Sequence, residues 1–242
     1  MKIVSHLIVL SILSLMLWSC NAPCIEGEGE IIKEKRVLPA FDEVVLNLSA
    51  ELEIVYSPAH KVNSIVITAQ ENLMPYISAR VDGTKLILDS DQCLNSTETI
   101  TLWIPVKSLN TITNSGSGRI LGTSVLPVSS VEVINEGSGN IDIGLKGQEI
   151  NIENQGSGNV YIRGAVKELN IRNLGSGSVV LPEMMASDVE INCKGSGEVT
   201  VWATNSIDVD LSGSGSVGYK GYPAQVSENN TGSGTIYKTD AK

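Results

Sequence analysis

The tripeptide Gly-Ser-Gly occurs seven times from residue 116 onward, at a nearly constant interval. The intervals between successive copies are 21, 19, 19, 20, 18 and 19 residues. A regular period of this length is typical of repeat proteins, in which each unit packs only on its neighbours. No helical pattern lies inside the period, so the sequence predicts an all-β solenoid with coils of about 19 residues. The first glycines of the seven copies are Gly116, Gly137, Gly156, Gly175, Gly195, Gly213 and Gly232.

Apolar residues alternate with polar ones on both sides of each tripeptide, as in the stretch Ile150 to Ile162. A period of two is the pattern of a strand with one buried face, so each coil is expected to contain two short strands. The strict hexapeptide pattern of left-handed β-helices is missing, which favours a right-handed parallel β-helix.

The glycines are expected at the bends between strands, because glycine adopts positive φ freely and has no Cβ to obstruct a neighbouring coil. An asparagine stands two residues before most copies, with Cys193 and Leu211 in its place before two of them. This position shares the parity of the buried residues, so we expect an inward ladder of hydrogen-bonded amides and a buried free thiol at Cys193. The asparagines are Asn114, Asn135, Asn154, Asn173 and Asn230.

The first nineteen residues resemble a bacterial lipoprotein signal peptide. Lys2 precedes an apolar run that ends in the lipobox-like sequence Leu17-Trp18-Ser19-Cys20. This pattern predicts a lipid on Cys20 and a membrane anchor in the cell envelope, with the outer membrane as the expected location. An ordinary cleaved signal peptide is the alternative. Residues 20–30, rich in glycine and glutamate, are predicted to be a flexible acidic tether.

Residues 31–108 contain alternating segments without the repeat and are predicted to be an irregular, β-rich capping region. Asp82-Gly83 indicates a β-hairpin there. This region would cover the N-terminal end of the repeat domain, residues 109–242, where strand edges are otherwise unpaired. The C-terminal end shows no evident cap, so assembly through that end is one hypothesis, and the oligomeric state stays open.

Composition and spacing argue against several functions. A net charge of −10 disfavours nucleic-acid binding. The cysteines lack zinc-ligand spacing, and the repeat lacks the aspartate of calcium-binding β-rolls, so no metal is expected. The segment Gly213 to Gly218 matches the dinucleotide fingerprint but is followed by alternating apolar residues instead of a helix, so no cofactor is expected. The sequence leaves open whether Cys24 and Cys93 form a disulfide.

Outward-facing aromatic residues are the candidate binding surface. By alternation Tyr161, Trp202 and Tyr237 face solvent, with Tyr222 close by. Flat aromatic faces on a rigid sheet suit a glycan or a protein ligand.

An acidic group supports the alternative of a carbohydrate-active enzyme, either a polysaccharide lyase or a hydrolase. Glu190 and Asp208 occupy equivalent outward positions on adjacent coils, and Asp210 lies two residues further along. Carboxyl groups about 5–6 Å apart are the spacing that retaining glycosidases use. No long loop builds the concave pocket that catalysis normally requires, which disfavours this alternative.

The segments RVLPAFDEVVLNLSAELEIVY and VDGTKLIL, together with the Gly-Ser-Gly repeat, resemble the head GIN domain family of auto-transporter adhesins. The resemblance covers residues 31–240. It implies a β-helical protein of the cell envelope, often a lipoprotein, and it supplies no catalytic or ligand-binding residues. The leading hypothesis is therefore a non-enzymatic envelope lipoprotein that acts as an adhesin or scaffold.

Overall fold

The structure is a computed structural model that describes residues 23–59 and 63–239. The chain forms a β-solenoid of about seven turns with coils of about 19 residues, which confirms the predicted fold class. The predicted signal peptide and Cys20 lie outside the described residues, and the hand of the coil stays a prediction. Among the residues described, no helix has the length and apolar character needed to cross a membrane.

The N-terminal part consists of short strands around one 3₁₀ turn, Met74–Tyr76. Its strands are β1 (Ile25–Glu26), β2 (Ile31–Val37), β3 (Glu43–Asn47), β4 (Glu51–Tyr56), β5 (Ser64–Gln70), β6 (Ser78–Asp82), β7 (Lys85–Asp89), β8 (Leu94–Asn95) and β9 (Thr101–Val106). The repeat follows as β10 (Thr111–Asn114), β11 (Arg119–Asn135), β12 (Ile141–Asn154), β13 (Val160–Asn173), β14 (Val179–Cys193), β15 (Glu198–Leu211), β16 (Ser216–Lys220), β17 (Gln225–Asn230) and β18 (Thr235–Lys238).

Most turns of the repeat contain one continuous strand between tripeptides instead of the two short strands expected. The segment between the two expected strands, such as Gly144–Gly147 in β12, also pairs in register with the next turn. Hydrogen bonding is therefore not interrupted where the strand bends. The register shifts that absorb the unequal repeat lengths lie near these bends, for example between Leu121 and Val125.

The core is a stack of equivalent apolar positions. Ile150, Leu169 and Val189 are register partners on successive turns, and each is at most 4% exposed. Parallel pairing places identical positions directly above one another, so one inward pattern repeated seven times gives a continuous core.

The corner glycines serve close stacking and not positive φ. In the described residues, positive φ occurs only at Gly29, Gly83, Gly164 and Gly221, none of which opens or closes a tripeptide. The expectation that the corner glycines need positive φ is wrong. A Cβ on Gly156 would overlap the carbonyl oxygen of Gly137 one turn before, and the same close approach recurs up the stack. Gly83 does have positive φ, at the tight β6–β7 hairpin.

The asparagines before the corners hold the corners together. Four of them, Asn114, Asn135, Asn154 and Asn173, are fully buried. Asn154 donates to the Asn173 side chain at 3.2 Å, and Asn173 donates to the carbonyl of Gly177 at 3.1 Å. Cys193, which takes the next place in this ladder, is a buried free thiol, and burial raises its pKa. Asn230 instead is exposed, because no further turn covers it.

The solenoid begins before the first tripeptide. β3 and β4 pair in parallel with β10 and β11 on one side and with β7 and β9 on the other. Leu46 is the register partner of Asn114, and the peptide Leu48-Ser49-Ala50 lies where a Gly-Ser-Gly corner would lie. The sheet thus crosses residue 108, the boundary predicted from the sequence.

Antiparallel strands close the N-terminal end. β2 pairs with β5, β5 with β9, and β6 with β7, all antiparallel. The 3₁₀ turn covers the end of the core with buried Leu73, Met74 and Ile77.

Residues 24–30 are attached to the body, which corrects the expectation of a flexible tether there. A disulfide joins Cys24 to Cys93, and β1 pairs with β8 directly beyond it. Asn72 accepts from the Glu28 amide at 2.8 Å and donates to the Glu26 carbonyl at 2.7 Å. The Glu26 side chain also accepts a hydrogen bond from Asn95 at 2.7 Å, so this segment is bound through backbone and side chain, which composition alone did not reveal.

The corner packing predicts that Gly156→Ala destabilises the protein. The new methyl group would overlap backbone atoms of Gly137 and Glu136, which cannot rotate away. We therefore expect the free energy of unfolding to fall by about 1–3 kcal/mol. Ser157→Ala, at the exposed neighbouring position, should change stability by less than about 0.5 kcal/mol. Thermal midpoints of both variants measure the difference, and equal midpoints would contradict the stacking role of the glycine.

The disulfide predicts a second effect. Because it links residues 69 apart, replacing Cys24 and Cys93 by serine should cost about 2–4 kcal/mol. The N-terminal segment should then open without loss of the repeat. Cleavage by a glutamate-specific protease at Glu26 and Glu28 should become faster than in the oxidised wild type, while circular dichroism stays unchanged. Equal cleavage rates would show that the hydrogen bonds of Asn72 suffice.

Candidate functional site

The candidate aromatic residues are distributed unevenly along the rod. Trp202, Tyr222 and Tyr237 lie on the last turns of the solenoid, whereas Tyr161 lies in its middle. Tyr222 is 81% exposed and Tyr161 38%. The structure therefore brings three of the four predicted residues to the C-terminal end and leaves Tyr161 apart.

Lysine side chains cover two of these rings. Lys220, the register partner of Trp202 on the next strand, places Nζ 4.4 Å from the centre of the indole. Lys238 places Nζ 4.8 Å from the centre of the Tyr222 ring. Both distances suit a cation–π interaction. A sugar stacking on either covered face would have to displace a lysine, so contact through the ring edges and free faces is favoured.

Tyr237 is oriented by its neighbours. Its ring lies against Gly218, where a Cβ would come within 2.6 Å of the ring. Its hydroxyl donates to Glu198. This hydrogen bond, with burial and the charge of Glu198 adding to it, raises the pKa of Tyr237 to about 12. The ring is fixed in place and its hydroxyl is already engaged, so Tyr237 can offer a partner only its outer face.

An acidic groove runs over the outer face of β13, β14, β15 and β17. It has a volume of about 520 Å³ and is open to solvent. Glu168 pairs in register with Asp188, and Glu190 with Asp208, so two pairs of carboxylates line it. Asp210 is outside this groove and accepts a hydrogen bond from Asn229.

The carboxylates of the groove suit the binding of a positively charged group better than acid–base catalysis. Hydrogen bonds from Ser206 and Asn205 lower the pKa of Asp188, which keeps this carboxylate charged. Glycosidases need one carboxyl group whose pKa is raised by its surroundings. Lys167 makes a 3.0 Å ion pair with Glu168, and Arg172 pairs with Glu153 beside the groove.

The described residues contain no group of three His, Cys, Asp or Glu side chains placed to hold a metal ion. Gly213 and Gly215 of the dinucleotide-like segment stack on Gly195 and Gly197 of the previous turn. Their amides face that turn, with the Gly215 amide donating to Gly195 at 3.1 Å. The segment is therefore a corner of the solenoid.

Sequence reasoning missed Glu168 and Asp188 as members of the groove. They lie two residues before Asn170 and Glu190 and share their parity, so the alternation places them on the same outward face. The sequence does contain this signal. Following the repeat spacing of 19 and 20 residues from Glu149 to Glu168 and Asp188 identifies a second row of outward acidic residues.

Tyr237 supplies a test of this geometry by pH. Because its pKa is raised above the ordinary value near 10, its hydrogen bond to Glu198 stabilises the fold below about pH 10, and this contribution is lost as pH rises towards 12. Glu198→Gln should move its ionisation back towards pH 10. Carbon-13 NMR of labelled tyrosines, assigned with Tyr237→Phe, measures both. Ionisation of wild-type Tyr237 near pH 10 would contradict the contact.

Comparison with solved structures supports the fold. A crystal structure of "a putative adhesin" from Bacteroides fragilis is 26% identical, with a TM-score of 0.85, and the match covers 89% of this chain and 100% of that one. A crystal structure of a "Putative lipid binding protein" from Parabacteroides distasonis is also 26% identical, with a TM-score of 0.76 and coverage of 89% and 99%. No curated protein matches the sequence.

A third crystal structure, of "a putative adhesin" from Parabacteroides merdae, is 21% identical with a TM-score of 0.58 and coverage of 89% and 98%, and shows the shared fold alone. The family model described as "Putative auto-transporter adhesin, head GIN domain" matches residues 40–223. This description is that of adhesin-like binding proteins of the cell envelope or surface. The match spans most of the chain and confirms the predicted resemblance: the protein belongs to the head GIN domain family.

Proposed function

We propose that this chain is a lipid-anchored, non-enzymatic binding protein of the cell envelope that presents the C-terminal end of a rigid rod to a partner. The observation that carries the proposal is the opposite placement of two features. The chain enters the rod at the N-terminal end, where the Cys24–Cys93 disulfide holds it, and the aromatic cluster of exposed Tyr222 with half-buried Trp202 and Tyr237 lies on the last turns.

The length of the rod separates these two ends. One wall contains the strands β2, β5, β9, β4, β11, β12, β13, β14, β15, β16 and β18 side by side. Strands in a sheet are spaced about 4.8 Å apart, so this wall is roughly 50 Å long. Cys20 lies four residues before Cys24, so a lipid on Cys20 would hold the N-terminal end close to the membrane and direct the aromatic end away from it.

A protein partner fits the aromatic end better than a glycan. Trp202 and Tyr222 already interact with Lys220 and Lys238, which leaves an amphipathic surface of aromatic edges and cations. The acidic groove with Glu190 is the other charged feature of the same turns. Such mixed aromatic and charged surfaces are typical of protein interfaces, in which tyrosine and tryptophan contribute most of the binding free energy.

The name of the Parabacteroides distasonis neighbour raises a second ligand class, a lipid. In the described residues, the acidic groove and two further cavities open on the outside of the sheets, and their linings combine charged and polar side chains with apolar ones. The interior of the solenoid is filled with side chains such as Leu169 and Ile191. No apolar cavity observed in this part of the chain would take an acyl chain, so we do not extend that name to this protein.

The proposal is tested with the mature chain attached to beads by its N-terminus and offered a panel of envelope proteins, matrix proteins and glycans. Tyr222→Ser combined with Trp202→Ser should weaken binding of whichever probe the wild type retains by at least about tenfold, as expected for an aromatic hot spot. Tyr76→Ser is the matched control, since Tyr76 is 43% exposed at the opposite end, and it should bind as the wild type does.

Two results would overturn the proposal. One is that Tyr76→Ser loses binding while the variant that combines Trp202→Ser and Tyr222→Ser still binds. The other is turnover of a polysaccharide that Asp208→Asn abolishes, which would make the acidic groove a catalytic site.

A further inference from the structure

The last turn of the solenoid breaks the apolar pattern of its core at two positions. Glu228 is the register partner of Val209, and Lys238 is the register partner of Tyr219. In the preceding turns the equivalent inward positions are apolar or aromatic throughout. They hold Val133, Ile152, Ile171, Ile191 and Val209 on one wall, and Ile143, Ile162, Leu181, Val201 and Tyr219 on the other.

Both charged residues occupy inward register positions at the open end of the core, and each has a side-chain partner nearby. Glu228 accepts a hydrogen bond of 2.8 Å from the hydroxyl of Tyr219, whose ring is only 6% exposed. Lys238 lies over the ring of Tyr222. Both residues are exposed, so their charges are hydrated.

Everything else about this turn would accept another one. Within residues 23–59 and 63–239, β17 and β18 pair only with the turn before them, so one edge of each strand keeps unpaired backbone groups. Val226 and Ile236 continue the apolar ladder, and Gly232 and Gly234 continue the corner without a Cβ to obstruct it. An added turn would bury Glu228 and Lys238 in the core, which is strongly unfavourable for charges without closely placed partners.

We propose that Glu228 and Lys238 form a charged cap that prevents a second copy of this chain from extending the sheet at the C-terminal end. Inward-pointing charges on an edge strand are a known means of blocking edge-to-edge association. No cap is evident here from the sequence, because both residues stand within a regular-looking repeat. This inference is independent of the proposed ligand, since it concerns only association of the chain with itself.

The test measures the oligomeric state of the mature chain by sedimentation velocity. Protein concentrations from about 1 to 100 μM cover the range in which weak self-association becomes visible. The wild type should stay monomeric. Glu228→Val combined with Lys238→Val should associate at concentrations at least about 100-fold lower than any at which the wild type does. Asp210→Val with Lys194→Val is the matched control, because it removes the same charges from exposed outward positions and should stay monomeric.

A charge-swapped variant tests whether a charge at each position is sufficient to block association, or whether the particular contacts of Glu228 and Lys238 are needed. Glu228→Lys with Lys238→Glu keeps a charge at both positions and should remain monomeric. The proposal is overturned by a folded double-valine variant that stays monomeric, by an associating charge-swapped variant, or by a wild type that already dimerises through this end. If the double-valine variant does not fold, Glu228→Val alone decides in the same way: association beyond the wild type supports the cap, and none overturns it.

Discussion

The close approach of one corner glycine to the next is the interaction on which the rest of the structure depends. At Gly156 and its equivalents, the space of a Cβ is occupied by the carbonyl of the turn below. This contact fixes the separation of the turns at the ladder distance and keeps the corner in register. Differences in repeat length must then be accommodated elsewhere, and the register shifts near the opposite bends, as between Tyr161 and Gly164, are where this happens.

A scaffold built this way has consequences for function. The interior is filled by stacked aliphatic residues and asparagines, so it leaves no room for a ligand. The outer faces are flat, and their side chains do not pack in the core. Their identities are limited mainly by charge and by the alternation of inward and outward positions. This explains physically how a neighbour only 26% identical shares the fold with a TM-score of 0.85, because outward residues can change without disturbing the core.

The period and the alternation of the sequence were enough to predict the solenoid, its inward positions and the Asp82-Gly83 hairpin. They did not reveal the β3–β4 turn, although Val44, Leu46, Leu52 and Ile54 follow the repeat pattern around it. Its corner has Leu48 and Ala50 instead of glycine. The turn below carries residues 90–100, which include β8, beside this corner instead of a Gly-Ser-Gly peptide, so the close stacking of glycine on glycine does not extend to it. Glycine marks a turn only where another corner lies directly beneath it.

The same dependence on the neighbouring turn limits what could be predicted for the site. Alternation correctly indicates that Trp202 faces outward, but the cation over its ring comes from Lys220 on the next strand, and the partner of Tyr237 is Glu198, 39 residues earlier. In a solenoid each side chain lies between equivalent positions above and below it, and a residue of an interior turn therefore has both neighbours specified by the repeat. The last turn has a neighbour on one side only. Its ring faces, strand edges and inward positions are open to solvent, so the identity of its residues is not determined by packing as it is in the interior turns.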